Sequence, residues 1–186
     1  FYYFHQGTTI KAYELLGSHY SKKSTRFCVW APNAVQVSVV GEFNYYNPNA
    51  NVMEKIDEKG IFYAYVSGNI EWSRYKYRIE TPEGRVLMKA DPYAFFSDFR
   101  PGTDSKVYDI HGFEWHDDEW FNTKPKVYEQ PLCVYEVHLG SWRRKDGEFM
   151  KYNEIAPQLI QYMHEQGFTH VEFLPVYEHP LDDSWG

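Results

Sequence analysis

Cysteine is almost missing from this 186-residue chain, which has only Cys28 and Cys133. Both sit in apolar, strand-like stretches, so they read as two buried thiols in a reducing cytoplasm rather than as a disulfide. Long hydrophobic runs are also missing. None approaches the ~20 residues that a membrane-spanning helix needs. The N-terminus, Phe1-Tyr2-Tyr3-Phe4-His5, has no positive leader, no small-residue cleavage site and no initiator methionine. It reads as a trimmed or incomplete chain and not as a signal peptide. Positive charge is scarce and scattered: 19 Lys and Arg stand against 26 Asp and Glu, for a net charge of −7. The basic clusters are short, Lys22-Lys23 and Arg143-Arg144-Lys145, which argues against a nucleic-acid or anionic-membrane face. The eight histidines are spread out, without i, i+4 spacing or Cys/His clustering, so no metal site is expected. No glycine-rich phosphate loop occurs, and Gly140-Ser141 opens no G-x-S-x-G elbow, so no cofactor is expected either.

Aromatic residues are plentiful: 17 Tyr, 13 Phe and 6 Trp. Ring faces stack on the C–H faces of sugars while Tyr and Trp tips bond hydroxyls, but most rings in a β-rich protein pack cores and cross-strand pairs. The first half reads as strands at 25–30, 35–40, 61–66 and 74–79. Turn signals separate them at Ala31-Pro32-Asn33-Ala34, Asn44 to Asn49, Asp57-Glu58-Lys59-Gly60 and Pro82-Glu83-Gly84. Short strands without helical period predict an antiparallel sandwich. Residues 91–125 are polar and aromatic without steady period and read as a connector wrapped on a surface.

After Pro131 the pattern changes. Residues 132–137 predict a strand, a helix follows with Leu159, Ile160 and Met163 on one face, and 169–174 predict a second strand. Pro157 is read as opening that helix at its first position, and Gly167 as its C-cap. Strand, helix and strand in this order predict a right-handed βαβ unit with parallel strands. Such a pair needs both faces covered, so the unit reads as a beginning without its continuation.

Specific stretches carry a family resemblance. Residues 12–19 (AYELLGSH) resemble the opening of branching enzymes, and 26–34 (RFCVWAPNA) with 37–44 (VSVVGEFN) resemble the early-set glycan-binding module before their barrel. Residues 89–94 (KADPYA) and 100–105 (RPGTDS) resemble the end of that module. Residues 135–144 (YEVHLGSWRR) resemble barrel strand one of 1,4-α-glucan branching enzymes. Residues 167–176 (GFTHVEFLPV), with 178–180 (EHP) and 184–186 (SWG), resemble strand two and its loop. Debranching and trehalose-releasing relatives share the architecture but differ at both of these last places. The resemblance implies a mainly β chain: an immunoglobulin-like (early-set) β-sandwich followed by a truncated βαβ start of a (β/α)8 TIM barrel. Its expected boundaries are a lead segment at 1–20, the carbohydrate-binding sandwich at 21–110, a connector at 111–130 and the barrel start at 131–186.

For such a family the resemblance implies cleavage of an α-1,4 bond and transfer of the chain to a 6-hydroxyl, with retention through a carboxylate nucleophile and a carboxyl acid/base. Those carboxylates follow strands four, five and seven of a barrel of roughly 250 residues. No catalytic residue can therefore be placed in this chain, which is expected to be inactive alone. The in-strand carboxylates Glu136 and Glu172 and the loop pair Asp182-Asp183 are not read as substitutes. The implied partners are an α-glucan, glycogen or amylose-like, and the rest of the barrel; no nucleic acid, membrane or metal is expected. Strand-end loops form the active face of such barrels, so His138, Ser141, Trp142, Glu178, His179 and Trp185 are expected to shape the cleft. In the sandwich the candidates for glucan contact are Asn44, Tyr46, Trp72 and Lys76. The module's Phe-Asn-x-Trp motif becomes Phe43-Asn44-Tyr45-Tyr46 here, and its second binding Trp is replaced by Val86-Leu87-Met88. Three alternatives stay open at this point: a glycan-binding module without catalysis, like the β-subunits of the AMP-activated kinase, a debranching or trehalose-releasing relative, and a sandwich that only braces the barrel. Lys151 stands where many relatives begin the helix with Ser or Thr, a position that rewards a side-chain acceptor.

Overall fold

A computed structural model describes residues 1–177, apart from the side chain of Val127. The chain divides into two units, residues 1–114 and 115–186. In the first, helix α1 (Tyr2–His5) leads into strands β1 (Gly17–His19), β2 (Ser24–Trp30), β3 (Gln36–Gly41), β4 (Glu54–Lys55) and β5 (Ile61–Ser67). They are followed by β6 (Arg74–Glu80), β7 (Val86–Lys89), β8 (Phe96–Ser97) and β9 (Ser105–Lys106). One antiparallel sheet has the order β1-β2-β5-β4. The other runs β3-β6-β9-β8, with β7 also paired to β6. The sandwich core lies between their facing sides, where Phe27, Val29, Val37, Val39, Phe62, Tyr75, Tyr77 and Val107 are buried. The alternation responsible is plain on β6: Tyr75 and Tyr77 turn inward, and Arg74, Lys76 and Arg78 lie at more exposed positions between them.

The outer side of the first sheet is covered as well. Leu16, Cys28 and Ile61 form a second buried cluster with Phe4, Leu15, Tyr63 and Tyr93 against it. His5 Nε2 lies 2.6 Å from Asp57 Oδ2, which fixes the lead helix to the β4–β5 turn. Burial of Cys28 pushes its thiol up to about 11, so it is an inert core thiol. Cys133, in contrast to the expectation of two buried thiols, is exposed. It precedes a two-stranded sheet too small to cover it.

In the second unit, α2 (Asp118–Thr123) precedes β10 (Val134–Val137), α3 (Leu139–Trp142), a small hairpin of β11 (Arg144–Lys145) and β12 (Glu148–Phe149), α4 (Tyr152–Gln166) and β13 (His170–Phe173). β10 and β13 pair in parallel, with Glu136 beside Glu172. α4 covers them through Ile155 and Leu159, which join Val137 in a small core. Ile160, expected on that face, is 56% exposed instead. The face is set by the i, i+4 pair Ile155 and Leu159, and Ile160 follows Leu159 round to the other side. Gly167 does close the helix, in the left-handed region at φ 77°. Pro157 does not open it. The helix begins at Tyr152 and carries the proline inside. The carboxylate of Glu154 accepts the Lys151 backbone N–H at 3.0 Å, which anchors an earlier first turn without a capping side chain at Lys151. Among the described residues no helix is long and apolar enough to cross a membrane.

Candidate functional site

The outer face of β6 gathers the sandwich's candidate residues. Lys76 projects from this strand, and its Nζ lies 2.6 Å from Thr103 Oγ1 and 3.1 Å from Asp104 Oδ1. Tyr46 arrives from the loop after β3, where both Tyr45 and Tyr46 adopt positive φ. Its hydroxyl donates to Asp104 Oδ2 at 2.5 Å. Asp104 thus holds both candidates. Partial burial and this hydrogen bond push Tyr46 up to about 12. The Asp104→Asn variant is expected to bring Tyr46 ionisation back toward the ordinary tyrosine value of about 10, measured by ultraviolet titration against a Tyr46→Phe blank. An unchanged titration would show that burial alone sets it.

Asn44 has a different place. Its Oδ1 accepts the Gly41 N–H at 2.9 Å, and its amide donates to Val39 O at 3.0 Å and to Asn51 Oδ1 at 2.8 Å. Both amide hydrogens therefore close the loop rather than face solvent. Beside Lys76, Arg74 grips Glu42 through its side chain at 2.8 Å and its backbone N–H at 2.8 Å. Those bonds, the backbone one foremost, hold Glu42 below the usual carboxylate range. Lys106 pairs with Asp98 at 2.8 Å, which lowers Asp98 in the same way.

Trp72 stands at the far end of this face. Its ring meets Phe96 at 5.2 Å and Tyr108 at 5.1 Å, centroid to centroid, both edge-on. The sequence alone did not reveal Thr103, Asp104, Phe96 or Tyr108 as neighbours of the candidates. Phe96 and Tyr108 fall in the stretch read as a connector, yet β8 and β9 within it join the sheet. The spacing of Lys106 and Tyr108, two residues apart, was the available signal.

In the second unit the expected barrel residues His138, Ser141 and Trp142 follow the end of β10. The His138 Nδ1 and Ser141 Oγ atoms are 2.9 Å apart, and Trp142 Nε1 donates to the Tyr135 hydroxyl at 3.1 Å. The Arg143 guanidinium lies 4.4 Å from the Trp142 ring. His138 also lines a cleft of about 240 Å³ with Leu139, Phe149, Tyr152 and Pro175, at the ends of β10 and β13. Glu178, His179 and Trp185 lie outside the described residues, as do Asp182 and Asp183. Glu136 and Glu172 sit side by side and exposed. Among the described residues no group of three or more His, Cys, Asp or Glu is placed to hold a metal.

A two-sheet β-sandwich with an aromatic and polar outer face is a common design for sugar recognition. Residues 15–94 match carbohydrate-binding module 48, described as the isoamylase N-terminal domain. The first unit is thus similar in class to a carbohydrate-binding module of that type. Over all of its length the chain is 50% identical to the 1,4-alpha-glucan branching enzyme GlgB of Bacillus caldolyticus, of which it spans 29%. It is 45% identical, again over its whole length, to GlgB of Bacillus subtilis strain 168, of which it spans 31%. The chain is thus similar to the N-terminal part of 1,4-alpha-glucan branching enzymes and spans under a third of the length of these relatives. Solved structures agree on the fold. A pullulanase from Anoxybacillus sp. LM18-11, complexed with maltotetraose, is 21% identical with a TM-score of 0.64, over 91% of this chain and 27% of that one. The D350A pullulanase from Paenibacillus barengoltzii, complexed with maltotriose, is 25% identical with a TM-score of 0.65, over 88% and 28%.

Proposed function

We propose that this chain serves as the head of a glycogen-branching enzyme, which cuts α-1,4-glucan and joins the freed chain to a 6-hydroxyl with retention of configuration. The single observation that carries this reading is 50% identity to a branching enzyme across the whole chain. The parallel β10–α4–β13 unit supports the further reading that residues 131–186 open a (β/α)8 barrel. In that barrel His138, Ser141 and Trp142 stand at strand ends and shape the active face, along with Glu178, His179 and Trp185. The nucleophile and acid/base carboxylates come from later strands. The sandwich binds α-glucan and presents it to the barrel, and the whole enzyme works in the cytoplasm.

Sequencing the native transcript past the codon for Gly186 tests this reading. A reading frame that supplies three further barrel carboxylates supports it. A frame that ends without them overturns it. For the 186-residue chain alone, the expected outcome is an unchanged iodine spectrum of amylose, because in this reading the nucleophile comes from a later strand of the barrel. Branching by the isolated chain would place the chemistry on residues described here and contradict the assignment.

A further inference from the structure

We propose that Trp72, Phe96 and Tyr108 form an α-glucan platform separate from the Tyr46–Lys76 corner. The proposal rests on the reading of the first unit as a sugar-binding module and assigns that role to a particular place.

Register puts the three rings together. Arg74 pairs with Lys106, and Lys106 pairs with Phe96, so these three share one side of the sheet. Tyr108 lies two residues beyond Lys106, and Trp72 two before Arg74, in the same direction along antiparallel chains. The Trp72 backbone N–H donates to Val107 O at 2.8 Å, which fixes the crossing. Trp72 is also held at φ 67°, a left-handed conformation uncommon for a bulky side chain. From Trp72 to Lys76 is about 13 Å along the strand, so the platform and the corner are distinct contacts.

The chemistry of the patch selects its ligand. Trp72 is 51% exposed. Among the described residues, no hydrogen bond engages its indole N–H or the Tyr108 hydroxyl. The patch therefore offers apolar ring surface together with free donors, a combination that suits the C–H faces and hydroxyls of a pyranose. Its charged rim is already neutralised, since Arg74 pairs with Glu42 and Lys106 with Asp98. With no cation to spare there, a neutral polyhydroxylated chain fits better than a phosphorylated or acidic ligand. At the other corner, Lys76 Nζ and the Tyr46 hydroxyl are both engaged by Asp104. A sugar there has to displace these bonds first, whereas at Trp72 none stands in the way.

The test uses the 186-residue chain with maltoheptaose by calorimetric titration, and with amylopectin by affinity gel electrophoresis. Trp72→Ala is expected to weaken binding about three- to tenfold, while Tyr46→Phe binds like wild type. Tyr108→Phe removes only a hydroxyl, keeps the packing and is expected to weaken binding measurably; it decides the matter if Trp72→Ala fails to fold. Wild-type affinity in both platform variants, with loss in Lys76→Ala or Tyr46→Phe, would place the glucan at the Asp104 corner and overturn the proposal. Absence of binding by the wild-type chain would also overturn it, together with the sugar-binding reading of the module. Neither result touches the branching-enzyme reading, which rests on the identity across the whole chain.

Discussion

Replacing Asp91 by alanine is expected to lower the stability of the chain by about 3–5 kcal/mol. Asp91 is 6% exposed and organises the inner end of the sandwich. Its Oδ2 accepts the Tyr75 hydroxyl at 2.7 Å and the Tyr77 hydroxyl at 2.9 Å. Its Oδ1 accepts the Tyr93 backbone N–H at 2.8 Å, and its own N–H donates to Ser105 Oγ at 2.9 Å. Tyr75 and Tyr77 are fully buried, so no water replaces the lost acceptor, and each stranded hydroxyl costs roughly 1–3 kcal/mol. Tyr77→Phe, which removes one bond and leaves the acceptor with others, is expected to cost only about 1 kcal/mol. Urea unfolding of the three proteins measures the difference. Equal losses in Asp91→Ala and Tyr77→Phe would mean that Asp91 does not organise the pair.

The same residue gives a pH dependence with a definite sign. Burial raises the Asp91 carboxyl above its usual value, against the lowering effect of the bonds from Tyr75, Tyr93 and Tyr77. The folded state therefore holds this proton more tightly than the unfolded chain. The proton-linked part of the stability that Asp91 contributes is full below its unfolded value of about 3.9 and is lost as pH rises through the higher folded value. The Asp91→Asn variant has no such proton. Its deficit relative to wild type should thus be wider below about pH 4 than at about pH 7. A deficit that grows toward neutrality would reverse the assignment.

Gly60→Ala is expected to cost about 2–5 kcal/mol, and Gly68→Ala about 1–2 kcal/mol. Both glycines have left-handed backbone, at φ 89° and 95°, so both substitutions carry a similar conformational cost. Their surroundings differ. A methyl at Gly60 would lie 2.3 Å from Pro32 Cα and 2.9 Å from Ala31 O, while one at Gly68 meets nothing within 4 Å. The Gly60 carbonyl also accepts the Ala31 N–H at 2.8 Å, so the close approach is part of the pairing between the 31–34 turn and the β4–β5 turn. The difference between the two variants in thermal or urea unfolding isolates the clash from the dihedral cost. Matching losses would show that the 31–34 turn moves aside freely.

β6 was legible from a period of two, with Tyr75 and Tyr77 buried between more exposed neighbours. β2 and β3 were legible as short apolar runs between turn signals, since both of their sides are largely buried. Residues 25–30, 35–40, 61–66 and 74–79 correspond to β2, β3, β5 and β6 within a residue at each end. β1, β4, β8 and β9 were not legible. They are two or three residues long, too short for a period to appear; β1, β4 and β9 line the edges of longer neighbours, and β8 in turn lines β9. β7 was read only as an aliphatic stretch, since Val86, Leu87 and Met88 do not alternate and all three are exposed. The parallel pairing of β10 with β13 followed from strand–helix–strand order, but Pro157 misplaced the start of α4. Proline rules describe where that residue is cheapest, and here the bond between Glu154 and the Lys151 N–H starts the helix earlier. Among the site candidates, the sequence identified Tyr46 and Lys76 but not Asp104, which joins them from 58 residues beyond Tyr46. Local pattern carries no record of so distant a partner.

The lead segment bears on how the sandwich can be excised. The match to the carbohydrate-binding family starts at residue 15, yet Phe4 and Leu15 lie over Leu16, Cys28 and Ile61, and His5 is tied to Asp57. A cut at the family boundary passes through this lid and removes both the ring of Phe4 and the His5 anchor. The packed unit is thus longer than the matched stretch 15–94, and the first helix forms its outer wall.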